Sequence, residues 1–98
     1  MDRYTAVHSF VLVAEAGSFA AAALKEGVTP VVMGRRLDAL ERHLGVKLMH
    51  RSTRGLALTD LGEQYLERAR GLLKDFDEAD ASIAKDRTSV RGHLVISA

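Results

Sequence analysis

The sequence predicts a mainly α fold: three short helices, a two-stranded hairpin, and one long helix following it. Three observations carry this prediction. Apolar residues recur at helical spacing in three stretches that end at glycines, the second and third starting at cap residues. Two short segments, KLMHR and LALT, flank the turn-forming STRG. A seam from Leu61 to Ile83 then keeps a spacing close to a heptad.

The first helix reads from residues 4 to 16. Tyr4, Val7, Val11 and Ala14 recur at 3-4-3 spacing, and Phe10 and Val13 widen the apolar face. Gly17 ends it, and Ser18 caps a second helix whose body is FAAAALKE. Its alanines give strong helix propensity with little bulk, so another helix can approach closely. Gly27 stops it. Thr29 is the next N-cap, with Pro30 at the first helical position, where a missing N–H costs nothing.

The third helix, Pro30 to Leu44, has two distinct faces. Met33, Leu37, Leu40 and Leu44 fall on one narrow stripe, while Val31, Arg35, Asp38 and Arg42 fall opposite. Gly45 supplies its stop. The hairpin follows over 47–58, turning at the polar Ser52-Thr53 and Gly55. Thr59 caps the long helix, with Asp60 and Glu63 near its positive end. From Asp60 to Lys85 this helix measures ~39 Å at about 1.5 Å per residue. Leu61, Tyr65, Ala69, Leu72, Phe76, Ala79 and Ile83 form its seam. Such a rod outruns the domain before it, so part of the seam needs a partner. Leu61 and Tyr65 are expected on the domain, leaving Leu72, Leu73, Phe76, Ala79 and Ile83 for a second copy. Residues 87–98 read as a hinge and then the strand-like HLVISA.

Composition sets the bounds. The chain has 98 residues, 47% hydrophobic and 28% charged, which suits one small cored domain and excludes a disordered tail. No apolar run reaches the ~18–20 residues of a membrane span, and MDRYTAVHSF lacks a secretory h-region. With no Cys there is neither a disulfide framework nor a thiolate metal site, in keeping with a cytoplasmic location. His8, His43, His50 and His93 scatter over different elements, so no metal site is expected. No His-x-x-x-His or paired-carboxylate constellation stands on one face and no Gly-rich phosphate loop follows a strand, so no enzyme is expected.

The net charge of +1 conceals a strong division. Residues 29–58 carry Arg35, Arg36, Arg42, Lys47, Arg51 and Arg54 against Asp38 and Glu41, a balance of +4, whereas residues 59–86 sum to −4. Only the middle segment would meet a polyanion.

Helix, short turn, second amphipathic helix and hairpin form the order of a winged helix-turn-helix. A helix of this kind enters the major groove and reads base edges from its N-terminal half, while basic residues and backbone N–H groups hold phosphates. The exposed face near the start of the third helix offers Thr29, Pro30, Val31, Gly34 and Arg35, and the hairpin offers Arg51 and Arg54. Ser18, Arg36, Ser52 and Thr53 complete the candidate DNA contacts. The competing reading is a helical adaptor that pairs through the long helix without touching nucleic acid. The opposite charge of 29–58 argues against it.

The run from Glu15 to Leu66 resembles the DNA-binding domain of LysR-type transcriptional regulators. The resemblance rests on Ala16-Gly17-Ser18-Phe19, Ala22–Leu24, Thr29-Pro30, Leu40-Glu41, Leu44-Gly45, Leu48, Arg51, Leu58-Thr59 and Gly62. It covers residues 3 to about 85 without a gap. It implies a winged helix-turn-helix over 1–59 (helix-turn-helix about 18–38), a linker and dimerisation helix over 60–86, and over 87–98 a hinge and the start of a truncated effector-binding domain. It further implies a bacterial regulator that binds double-stranded DNA at an inverted-repeat-like operator as a homodimer, with higher oligomers at full length. No cofactor is expected within these residues; a small-molecule inducer belongs to the missing C-terminal domain. Two positions depart from the family pattern. Gly34 stands where Ser is common, and Ala20 where Thr or Ser is common and would contact phosphate.

Overall fold

The computed structural model describes the backbone of residues 1–97 and the side chains of residues 1–87. Its elements are α1 (Arg3–Ala16), α2 (Phe19–Glu26), α3 (Pro30–Leu44), β1 (Met49–Ser52), β2 (Gly55–Leu58) and α4 (Asp60–Ser97). The expected caps start α2, α3 and α4, and Asp2, which the sequence reading did not single out, caps α1. Asp2 accepts from the Thr5 N–H, Ser18 Oγ from Ala21 at 3.0 Å and Thr29 Oγ1 from Val32 at 3.2 Å. Helices α1 to α3 stop at Gly17, Gly27 and Gly45, as the sequence predicts.

The three helices close around one core. Phe10 and Val13 of α1, Ala22 and Ala23 of α2, and Met33, Leu37 and Leu40 of α3 are buried together with Leu48, Leu66 and Ala69. The strands pair antiparallel, from Met49 opposite Leu58 to Ser52 opposite Gly55. Thr53 and Arg54 keep negative φ, and the positive φ of the turn falls on Gly55, at 120°. Ser52 Oγ holds this tip by accepting from the Arg54 N–H at 3.2 Å.

Helix α4 departs from the sequence reading in two ways. Its inward line runs through Gly62, Leu66, Ala69 and Leu73, not through Leu61, which stays 48% exposed. Tyr65 does pack on the domain, 5.6 Å from Phe10 between ring centroids. That burial pushes its phenol above the ordinary value, with Arg3 opposing. The stripe is turned because α4 approaches the chain at Leu48 through Gly62, a residue without apolar signal. Secondly, where the sequence predicts a hinge and then a strand from His93, the backbone continues as helix through Ser97. A lone strand leaves its ladder groups unpaired, whereas a helix closes them within itself. The reading of 87–98 as the opening of another domain falls on side chains outside the described residues.

Candidate nucleic-acid interface

Two helix N-termini and the hairpin converge on one open groove. It is lined by Ser18 and Phe19 from the start of α2, Pro30, Val31 and Gly34 from α3, and Arg51 and Ser52 from β1. Both N-termini bring unpaired backbone N–H groups and partial positive charge toward an approaching anion. The hydroxyls of Ser18 and Thr29 accept the capping bonds through oxygen, which leaves each proton to donate elsewhere. Val31 stands out of the helix at 63% exposure, an apolar tip on an otherwise polar approach.

The arginines separate by environment. Arg35 is exposed, lines the neighbouring groove between α3 and the start of α1, and makes no ion pair among the described residues. Arg54 is exposed at the hairpin tip beside Thr53 and is likewise unpaired among them. Arg51 is engaged inside the fold: its Nη2 donates to Asp38 Oδ1 at 2.7 Å, lies 3.5 Å from Glu41 Oε1, and its guanidinium stands 4.9 Å from the Phe19 ring centre. It therefore fastens the hairpin to α3 and α2 while still bordering the groove. Arg36 is turned inward, to Glu26 at 3.5 Å and Ser9 at 3.2 Å.

The structure thus brings Ser18, Pro30, Val31, Gly34, Arg51 and Ser52 into one groove, with Thr29, Thr53 and Arg54 around it. Arg35 stands on the other shoulder of α3, and Arg36 behind it.

Beneath the hairpin lies a residue whose part is hidden in the sequence. The Glu41 side chain is 5% exposed, and its Oε2 accepts from the backbone N–H groups of Leu48 at 2.7 Å and Met49 at 3.3 Å. Among the described residues its Oε1 has no hydrogen-bond partner, and it lies 3.5 Å from Arg51 and 3.7 Å from Lys47. This carboxylate joins the end of α3 to the start of the hairpin. Its signal in the sequence is an acid one turn after Leu37 and beside Leu40, on the apolar stripe itself.

On α4, Leu72, Phe76 and Ile83 are 52%, 52% and 67% exposed, and Ala79 is exposed too. Leu73 packs against the chain's own core, and Phe76 meets Tyr4 edge-on at 5.2 Å. Among the described residues no group of three or more His, Asp or Glu side chains could hold a metal ion, and no helix is long and apolar enough to cross a membrane.

Residues 4–63 match the bacterial regulatory helix-turn-helix proteins of the lysR family. An HTH-type transcriptional repressor of Pseudomonas aeruginosa is 39% identical over 94 residues, which cover 96% of this chain and 30% of the relative. An uncharacterised HTH-type transcriptional regulator of Haemophilus influenzae is 37% identical, over 99% of this chain and 34% of its own length. The chain therefore spans about a third of the curated relatives it matches. Among solved structures, the DNA-binding domain of CbnR in complex with DNA is 41% identical. It has a TM-score of 0.76 and covers 86% of this chain and 97% of that one. The BenM DNA-binding domain on its catB site 1 DNA gives a TM-score of 0.82 at 28% identity, over 87% and 93%.

Proposed function

Since the chain belongs to the lysR family of bacterial regulatory helix-turn-helix proteins, we propose that it binds duplex DNA sequence-specifically and regulates transcription. In this reading the N-terminal half of α3 enters the major groove and the hairpin lies along the backbone or minor groove. One observation carries it: the starts of α2 and α3 and the hairpin open onto the same groove, with Arg54 at the hairpin tip and Arg35 on the other shoulder of α3, neither in an ion pair among the described residues. Backbone N–H groups, hydroxyls and arginines are the groups that hold phosphates, and a helix has the width of the major groove. Pro30, Val31 and Gly34 face base edges, and Val31 suits a thymine methyl. Ser18, Thr29, Ser52, Thr53 and Arg54 hold the backbone. CbnR and BenM, whose domains share this fold, have been crystallised with DNA, which supports the same role here.

The role is binding in the bacterial cytoplasm and not catalysis. Leu72, Phe76, Ala79 and Ile83 of α4 pair with a second copy, so that two α3 helices reach successive major grooves about 34 Å apart and favour an inverted-repeat operator. The inducer is bound by sequence outside these residues.

The test is an anisotropy titration against the duplex that the protein enriches from a random-sequence pool, repeated over a salt series. Log affinity should fall steeply and linearly with log salt. An affinity indifferent to salt would sink the assignment. Sedimentation equilibrium checks the pairing: Leu72→Glu with Phe76→Glu should give a folded monomer, and a double variant that still dimerises would refute this face.

A further inference from the structure

Arg36 follows Arg35 in α3 but is turned about 100° around the helix. That turn carries it from the exposed shoulder to the seam where α3 meets both other helices. Its Nη1 donates to Ser9 Oγ of α1 at 3.2 Å and lies 3.5 Å from Glu26 Oε1 of α2. Ser9 is 1% exposed, so this hydroxyl belongs to the interior. The same Glu26 oxygen meets His8 Nδ1 of α1 at 3.2 Å, and His8 stacks on Tyr4 with its ring plane 9° away. One guanidinium is thus tied to both of the helices α1 and α2.

On the α2 side, packing gives the angle of α3 little purchase. The buried residues of α2 are Ala22 and Ala23, which permit close approach but interlock little. Apolar burial is also non-directional, whereas hydrogen bonds to two different helices constrain both tilt and rotation. We infer that Arg36 is a positioning residue for DNA reading: through Ser9 and Glu26 it fixes the angle at which α3 is presented, and it does not touch phosphate itself. This rests on the DNA-binding reading above.

Charge provides a test by sign. Glu26 is an anion on the DNA-binding domain, so by electrostatics alone its neutralisation strengthens binding to a polyanion. If Glu26 serves by holding Arg36, neutralising it weakens binding. The experiment compares Arg36→Met, Arg36→Lys, Glu26→Gln and the double variant Arg36→Met/Glu26→Gln with the parent chain. Each is titrated over a salt series against the duplex that the parent enriches from a random-sequence pool. The temperature is one at which circular dichroism shows the variants folded. We expect Arg36→Met and Glu26→Gln each to lower affinity about tenfold, and the double variant to fall no further than either, since both remove one interaction. The salt slope should stay at the parent's value, and Arg36→Lys should fail to restore affinity because an ammonium lacks the fork that reaches two partners.

A slope reduced by about one unit in Arg36→Met, with Arg36→Lys near the parent and Glu26→Gln binding more tightly, would overturn the inference in favour of a direct contact. Parent-like affinity in every variant would overturn it as well. Should Arg36→Met fail to fold, the sign of the Glu26→Gln effect still decides. A parent that enriches no duplex defeats the DNA-binding reading itself, a result distinct from either of these.

Discussion

At the junction beneath the hairpin, polar groups are turned inward. Glu41 accepts from Leu48 and Met49, and the Thr59 hydroxyl donates to the Lys47 carbonyl at 2.7 Å while accepting from Gly62 at 2.9 Å. The Thr59 N–H donates to the Leu48 carbonyl at 3.0 Å. A few residues away, along the exposed side of α3 and at the hairpin tip, comparable groups face out. Arg35 and Arg54 have no ion pair among the described residues, and the starts of two helices open to solvent. The difference teaches how to separate structure from function in a chain this small. Groups bonded within the chain hold its geometry, and groups left open on the surface are available to a partner. Changes at the junction should therefore act on stability, and changes in the groove on affinity.

Gly62→Ala should have the largest effect. Helix α4 passes so close to the Leu48 backbone that a Cβ on Gly62 would be driven into that carbonyl. The obstacle is backbone, not a flexible side-chain tip, so α4 must move and the Thr59 bonds must break with it. A loss of about 3 kcal/mol of unfolding free energy is expected, measured by urea denaturation. An alanine variant as stable as the parent would mean that the junction yields easily and that the contrast with the groove is false.

Arg35→Ala reverses the pattern. With no ion pair to lose among the described residues, the variant should unfold like the parent, while its affinity for the selected duplex falls by about 1–3 kcal/mol. Unchanged anisotropy titrations at fixed salt would remove Arg35 from the interface.

Arg35 and Arg36 also show how far the sequence could be read. The caps at Ser18, Thr29 and Thr59 and the stripe of Met33, Leu37 and Leu40 are local signals, and the fold follows them. Most of the candidate groove is legible on the same ground, because Ser18, Pro30, Val31 and Gly34 stand at helix starts. The outward face of Arg35 is legible as well, since it lies opposite the apolar stripe, whereas what holds Arg36 and Arg51 is a tertiary matter. Arg36 and Arg51 look like solvated charges until Glu26, Ser9 and Asp38, distant in sequence, arrive beside them. Glu41 is hidden for the same reason: its partners are backbone N–H groups of a segment with no polar side chain to announce them. On α4, periodicity gives the right kind of seam but turns it toward Leu61, because the contact that sets its rotation is made by a glycine.

Gly34→Ala should move stability and affinity in opposite directions. Gly34 lies within α3, where Gly costs roughly 1 kcal/mol relative to Ala, and a Cβ there would meet, among the described residues, no atom within 4 Å beyond the adjoining backbone of its own helix. The variant should therefore gain about that much stability. Gly34 also borders the groove, so the added methyl meets whatever α3 approaches, and affinity for the selected duplex should drop. A melting temperature that rises with no change in binding would show that DNA does not come close at this turn.

The smallest expected effect is at Asp2, which caps α1 and shares the flanking groove with Arg35. The Thr5 side chain, then the Thr5 backbone N–H, hydrogen-bond its carboxylate and hold it below its ordinary value of 3.8. A carboxyl depressed in the folded state contributes stability that is fully present above its unfolded value and is lost as pH falls through the folded one. The contribution should thus be intact near neutrality and fade below about pH 4. Asn caps a helix as well as Asp does but cannot titrate. Asp2→Asn should therefore leave α1 capped while flattening the acid limb of the melting curve, so that the gap between parent and variant closes toward about pH 3. At neutral pH the same change removes a negative charge from the side of α3 that carries Arg35, and affinity for duplex DNA should rise slightly at low salt and lose that gain at high salt. A variant that keeps the parent's full acid dependence would place that titration elsewhere. Weaker binding would mean that the cap at Asp2 holds Arg35 in place, which would move this end of α1 from the outward-facing side of the comparison to the inward one.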